Sequence, residues 1–397
     1  MVLIDIAVTI LLLLGILLLI PSAMFFAEVV AGRLPSRDPE APSLAQQPRL
    51  AVLVPAHNED SVIAGTLQAL RSQLAPADRL LVVADNCSDS TAAIAKSEGA
   101  EVVERLDAHR RGKSYALDFG VRHLEDDPPD VVIVIDADCI PDKGTLKALG
   151  RHAVALNRPI QALYVIRPPK GAVSRYLLIA GFAAKVKNVL RPLGAQSLGL
   201  PCQLMGTGMA FPWPIISAAD LKSGELAEDL VLGLDLARQG YAPELCASAR
   251  VVSEFPLNSE GQGSQRARWE AGHIQTIARH VPGLLFAGLR QRDMRLLGLA
   301  IDAMVPPVAL HLMLVALLSL ASLIALLAGG IWAPLFIAML AAAFLGFGVF
   351  VAWWKVGRDN LSLVELAKAA GYILSKIPLY AQIVMGRHVS WIRTKRD

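Results

Sequence analysis

Two kinds of hydrophobic pattern share this chain. Residues 2–31 form one long apolar run with LLLLGILLLI at its centre, and two further runs cover about 304–328 and 331–354, joined at Gly329-Gly330. Runs of this length predict membrane-spanning helices. From residue 49 the pattern shortens. RLAVLVPAHNED predicts a strand and a turn, DSVIAGTLQALRSQ a helix, and RLLVVADNCSDST a strand ending in acid and turn residues. TAAIAKSEGA predicts a helix, AEVVERL a strand, KSYALDFGVRHL a helix and DVVIVIDADC a strand. Such alternation predicts an α/β domain with a parallel-rich sheet and helices on both faces. Two segments are amphipathic instead. In 172–193, Arg175, Lys185, Lys187 and Arg191 alternate with apolar clusters, which suits either an interfacial helix or a helix packed on the soluble domain. The stretch 361–385 carries Glu365, Lys368 and Lys376 with Pro378 inside, and predicts a helix lying in the interface. The expected divisions are a spanning helix at 1–31, an α/β domain at 45–290, a spanning hairpin at 296–354, and an interfacial helix with a basic tail at 361–397.

Composition supports this division. Of 397 residues, 54% are hydrophobic and 18% charged, and mean hydropathy is +0.46, too apolar for a purely soluble protein. The first run lacks the basic start and short core of a signal peptide, so it is expected to stay uncleaved. Arg33 and Arg37 follow the first run, Arg290, Arg292 and Arg295 precede the second, and Lys355 and Arg358 follow the third. Basic flanks remain cytoplasmic. The expected protein is therefore integral to the inner (cytoplasmic) membrane, with its N-terminus outside and residues 32–300 in the cytoplasm. Charges within the spans are nearly absent apart from Asp302 near one end, which speaks against a transporter. A net charge of +3 without a dense basic stripe excludes a nucleic-acid footprint. Cys87, Cys139, Cys202 and Cys246 are scattered and read as reduced thiols.

The chemistry gathers where strands end. Parallel strands bring their carboxyl ends to one rim, where such sheets bind ligands. Three clusters are expected there: His57-Asn58-Glu59, Asp85-Asn86 and Asp136-Ala137-Asp138. Asp-x-Asp after a Val/Ile strand either holds a hard divalent cation through its oxygens or forms a solvated turn. Lys113, in Gly-Lys-Ser at a helix start, suits a phosphate. Glu228-Asp229 opens the helix EDLVLGLDLARQG, where acids also suit the dipole. His57 and His109 read as loop residues and not as metal ligands, since no His/Cys metal spacing exists.

Taken together, the motifs resemble the family-2 glycosyltransferases, specifically the membrane-embedded branch near the cellulose and hyaluronan synthases. They are VPAHNE at 54–59, VVADNCSDST at 82–91, RRGKSYAL at 110–117, IDADC at 135–139, GTGMAF at 206–211, ELAEDL at 225–230 and QRARW at 265–269, in the family's order. The resemblance implies a GT-A-like nucleotide-sugar-binding domain. It implies that Pro55, His57, Glu59, Asp85, Lys113, Asp136 and Arg268 bind the nucleotide sugar, with Glu59 and Asp85 at its base and ribose and Lys113 and Arg268 at its phosphates. Asp138, with Asp136, would ligate Mg2+ or Mn2+. Asp229 would be the general base, with Glu228 beside it, and Trp269 and Gln265 would line the acceptor site with Asp229. Ala227 stands where the family usually has threonine, which removes an orienting hydroxyl. His273 and Gln275 lie just beyond the last motif.

The implied reaction is inverting transfer of a sugar from a nucleoside diphosphate donor, with UDP favoured by family analogy. The implied acceptor is lipid-linked or glycan, at the cytoplasmic membrane face, in exopolysaccharide or glycolipid assembly. WWKVGRDNLS after the third span does not match the processive enzymes' gating loop, so a single transfer is favoured over a processive synthase. An inactive membrane scaffold is the remaining alternative. The tail Trp391–Arg396 suits lipid phosphates or a plain basic anchor. Sugar, metal, oligomeric state and protein partners are not identified by the sequence.

Overall fold

The computed structural model describes residues 2–34, 44, 46–168, 174–256 and 259–385. Arg37 and the tail from 386, with Trp391–Arg396, lie outside the described residues. The chain divides into two compact units. The first comprises the described residues of 34–169 and 201–265, and the second those of 1–33, 170–200 and 266–390.

The first unit is built on a sheet. Its strands are β1 Leu50–Ala56, β2 Arg79–Asp85, β3 Glu101–Arg105, β4 Val131–Val134, β5 Ile140–Pro141, β6 Ile160–Arg167, β7 Met209–Pro212 and β8 Glu244–Glu254, in the order β3-β2-β1-β4-β7-β6-β8-β5. The pairs β3-β2, β2-β1 and β1-β4 are parallel, as the βα alternation requires. Beyond β4 the sheet is mixed: β7 runs antiparallel to β4 and β6, β6 pairs parallel with β8, and β5 antiparallel with β8. Successive strand residues alternate between two faces, and each face has its own core. Val52, Val54, Val82 and Ile133 pack with Ile63, Leu67 and Leu70 of the helix Ile63–Arg71. Leu53, Leu81, Val83 and Val132 pack with Leu117, Val121 and Leu124 of the helix Lys113–Leu124. Each such side chain, taken fully out of water, contributes about 1.5–3 kcal/mol. The apolar run at 131–139 is shorter as a strand than its composition suggests. β4 stops at Val134, Ile135 N still donates to Leu53 O at 3.1 Å, and Cys139 N then turns back to Asp136 O at 3.0 Å.

The second unit is helical. Val2–Ala31, Val308–Leu327 and Ala333–Gly357 are each long and apolar enough to cross a membrane. Lys355 Nζ donates to the carbonyls of Val29, Val30 and Gly32 at 2.9, 2.7 and 2.7 Å, closing the C-terminus of the first helix. The two ends followed by basic residues therefore meet. Two charges escaped the sequence reading, both in the first helix: Asp5 in its first turn and Glu28, fully buried. Arg191 donates to Glu28 Oε2 at 2.6 Å and to Asp302 Oδ1 at 2.5 Å. The described residues of 174–193 thus belong to the helical unit. Its helices Arg175–Lys185 and Arg191–Ser197 are joined by a π-turn, and Gly194 lies against Glu28 so closely that an added Cβ would meet the Glu28 carbonyl oxygen at 1.9 Å. The stretch 361–385 is three short helices, Leu363–Ala367, Ala369–Leu374 and Ile377–Val384, in place of one continuous amphipathic helix.

Candidate active site

The loops after β1 and β2 are stitched together before any acid is placed. Asn58 and Asn86 take left-handed backbone, with φ of 54° and 51°. His57 Nδ1 bonds Asp85 O at 2.6 Å, Ser88 N donates to Asn58 Oδ1 at 2.7 Å, and Glu59 N donates to Thr91 Oγ1 at 2.7 Å. Pro55 lies in β1, one residue before its end. Asp85 is buried, and its Oδ1 accepts from Arg105 at 2.6 Å and from Asn86 Nδ2 at 2.9 Å. Arg105 also pairs with Asp107 at 3.1 Å and lies 5.6 Å from the centre of the Tyr115 ring. A cavity of about 520 Å³ opens on this side, lined by Arg105, Asp107, Arg110, Tyr115, Phe119 and Lys222 among others. It includes none of the acids at the β4 end.

At the β4 end the charges converge. Lys113 is the first residue of its helix, after Gly112 at φ 123°. Its Nζ donates to Gly206 O at 2.7 Å and pairs with Asp136 Oδ1. Burial works against the ammonium, but the charges of Asp136, Glu228 and Asp229 outweigh it and raise the Lys113 pKa. Asp136 is raised as well, by burial first and then by Asp138, with Lys113 opposing. Its backbone N donates to Thr207 Oγ1 at 3.1 Å. The loop holding Gly206 and Thr207 is fixed from below by buried Gln161, which donates to Thr207 O at 2.9 Å and accepts from Met205 N at 2.8 Å.

Ligand atoms of Asp136, Asp138 and Cys139 lie within 4.8 Å of one another. The buried Cys139 thiol donates to Asp138 Oδ1 at 3.2 Å, and burial, followed by the Asp138 charge, pushes its pKa well up. A hard divalent cation prefers oxygen to sulfur, so the two carboxylates are the part of this set that fits one. Glu228 and Asp229 begin the helix Glu228–Arg238, and Ala227 caps it with no side-chain hydrogen bond. Glu228 is pushed up to about 7, by burial first and by the Asp229 charge second. An added Cβ on Gly206 would lie 3.2 Å from Asp229 Oδ2 and 3.5 Å from Lys113 Nζ, so carboxylate and ammonium flank this glycine.

The structure therefore brings Lys113, Asp136, Asp138, Glu228 and Asp229 together and adds Gly206 and Thr207, whose GTGMAF motif carried no assigned role. Gln265, Arg268 and Trp269 share the helix Ser259–Arg279 and are half-buried, with Arg268 and Trp269 in the helical unit. His273 is buried, bonded to Ala303 O at 3.1 Å, and its pKa is lowered to about 3 by burial and then by the Lys187 charge. It is a neutral packing residue. Arg105 and Gln161 went unread, because Asp85 and Thr207, the partners that tie them to the site, lie 20 and 46 positions away.

The family described as "Glycosyltransferase like family 2" matches residues 48–272. Over 247 residues the chain is 37% identical to the "Probable glycosyltransferase YdaM" of Bacillus subtilis, covering 59% of this chain and 57% of that protein. Over 77 residues it is 38% identical to a 4,4'-diaponeurosporenoate glycosyltransferase of Staphylococcus aureus, covering 19% of this chain and 20% of that one. The chain thus spans only a little over half of the first relative and a fifth of the second. Among solved structures, the mannosyltransferase PcManGT from Pyrobaculum calidifontis, in complex with GDP-Man and Mn2+, superposes with a TM-score of 0.56 at 18% identity, covering 95% of this chain and all of that one. The sheet unit has a GT-A-like fold. The chain belongs to the family-2-like glycosyltransferases.

Proposed function

We propose that the protein transfers one sugar from a nucleoside diphosphate donor to a lipid-linked or glycan acceptor at the cytoplasmic face of the inner membrane, with inversion at the anomeric carbon. One observation carries this reading: the Asp229 carboxylate and the Lys113 ammonium meet at Gly206, beside Asp136 and Asp138. Pro55, His57, Glu59 and Asp85 hold the nucleoside at the ends of β1 and β2. Lys113 holds the diphosphate, exchanging its present partner Asp136 for phosphate oxygens, and Arg268 is suited to grip it bidentately. Asp136 and Asp138 would hold Mg2+ or Mn2+, whose charge offsets the negative charge gathered on the leaving group. Asp229 takes the proton of the attacking hydroxyl, a role typically worth roughly 10²–10⁴-fold. Trp269 and Gln265 receive the acceptor, the indole against the apolar face of a sugar ring. Direct attack needs no enzyme nucleophile, so an α-linked donor yields a β-linked product.

Membrane placement draws on the three apolar helices and on Lys355, which joins the basic end of the third to the end of the first. All basic flanks then fall on one side, which the sidedness rule makes cytoplasmic.

The test incubates purified protein and Mn2+ with UDP-glucose, UDP-galactose, UDP-N-acetylglucosamine or GDP-mannose and extracted inner-membrane lipids, and weighs the products by mass spectrometry. A lipid heavier by one sugar is expected. A ladder of sugars would replace single transfer with processive synthesis. Asp229→Asn is expected to lower transfer by at least about 10²-fold while UDP binding persists; transfer at the wild-type rate refutes the base assignment.

A further inference from the structure

The residue after Trp269 is Glu270, and it is not a solvated acid. Its side chain is 13% exposed, and both carboxylate oxygens are taken by the C-terminal segment. Lys376 Nζ, on a side chain 10% exposed, donates to Oε1, and the Tyr380 hydroxyl donates to Oε2 at 2.6 Å. The Lys376 ammonium lies 4.8 Å from the centre of the Tyr372 ring, that ring lies 4.6 Å from the ring of Tyr176, and the Arg266 guanidinium lies 4.4 Å over Tyr176. Arg266 and Glu270 are one helical turn apart. The contacts therefore form a closed ring that leaves the helix Ser259–Arg279 at Glu270 and returns to it at Arg266.

A buried ion pair adds little stability over an apolar pair of the same volume. What this ring does fix is the rotation of the helix. Successive helical residues turn by about 100°, so Arg268 points roughly 160° away from Glu270 and Trp269 about 100° away. The ring grips the side of the helix turned from Arg268.

We propose that Glu270 is a positioning residue: held by Lys376 and Tyr380, it sets the rotation of the helix carrying Arg268 and Trp269 and makes turnover depend on the docking of residues 363–384. The proposal rests on the reading that Arg268 and Trp269 act in transfer, and Arg268→Ala tests that reading separately by loss of transfer. Lys376→Met and Glu270→Gln are each expected to lower kcat about tenfold, with the Kd for UDP in Mn2+ changed less than about threefold. The exchanged pair Glu270→Lys with Lys376→Glu is expected to recover to within about threefold of wild type. Tyr380→Phe, which removes one hydroxyl and no charge, is expected to lower kcat about threefold. Wild-type kcat in Lys376→Met together with a lowered melting temperature makes the ring a structural clamp only and overturns the proposal, as does an exchanged pair no better than the single variants. If the charge variants do not fold, Tyr380→Phe decides, and wild-type kcat there overturns it. Arg268→Ala at the wild-type rate sinks the underlying reading; inactive Arg268→Ala beside fully active Lys376→Met sinks this proposal alone.

Discussion

Glu228 keeps its proton unusually late, at about pH 7, because burial and the adjacent Asp229 charge both disfavour a second anion there. An acid whose folded-state pKa exceeds its unfolded value of 4.5 binds more protons in the native state between those two values. The stability this group lends is full below the lower value and is lost as pH rises through the higher one. Glu228→Gln is permanently neutral, so the loss should disappear. Without divalent metal, the melting temperature of Glu228→Gln should gain on wild type between about pH 5 and pH 7 and then level off; a constant difference across that range would contradict the shift. The acids of the site were legible because each stands where a pattern breaks, at the end of a Val/Ile strand or the start of a helix. Arg105 and Gln161 were not, because an arginine or glutamine within a strand announces nothing until its partner is seen. Cys139 was read as a plain thiol, and only its hydrogen bond to Asp138 gives it a place in the site.

Between β6 and β7 lies the loop that decides the geometry of the charges. Gly206 has φ of 85°, a conformation that side chains rarely adopt, and its missing Cβ leaves room for Asp229 and Lys113. Gly206→Ala should cost about 1 kcal/mol of stability, measured by denaturant unfolding. It should cost at least about tenfold in kcat by parting the carboxylate from the ammonium. Full activity in this variant would show that the close approach has no role. The first four strands were legible from their apolar runs. The far half of the sheet was not: β7 has four residues and β5 two, and β8 is ELCASARVVSE, whose pairing with β6 slips between Ala162 and Leu163. At 361–385 the hydrophobic pattern was real, but Lys376 turns inward to Glu270, so an amphipathic stripe over one continuous helix misdescribed it.

The chain enters its helical unit three times, and only the first and last entries are apolar enough to be read from sequence. The middle entry reads as half-polar because it supplies Arg191, whose partners Glu28 and Asp302 lie 163 and 111 positions away. Glu28 Oε1 stays buried without a hydrogen-bond partner among the described residues, so the cluster is short of donors already. Arg191→Met strands two buried carboxylates and should cost about 3–5 kcal/mol, seen as a lower melting temperature in detergent. Adding Glu28→Gln and Asp302→Asn should restore much of it. No recovery would mean that Arg191 matters for its packing and not its charge.

The same cluster sets a timing problem during synthesis. On the membrane reading, Glu28 reaches the translocation machinery long before the ribosome has made Arg191, an interval of roughly ten to thirty seconds at about 5–20 residues per second. For that interval the first helix lacks the guanidinium that Glu28 pairs with in the folded chain.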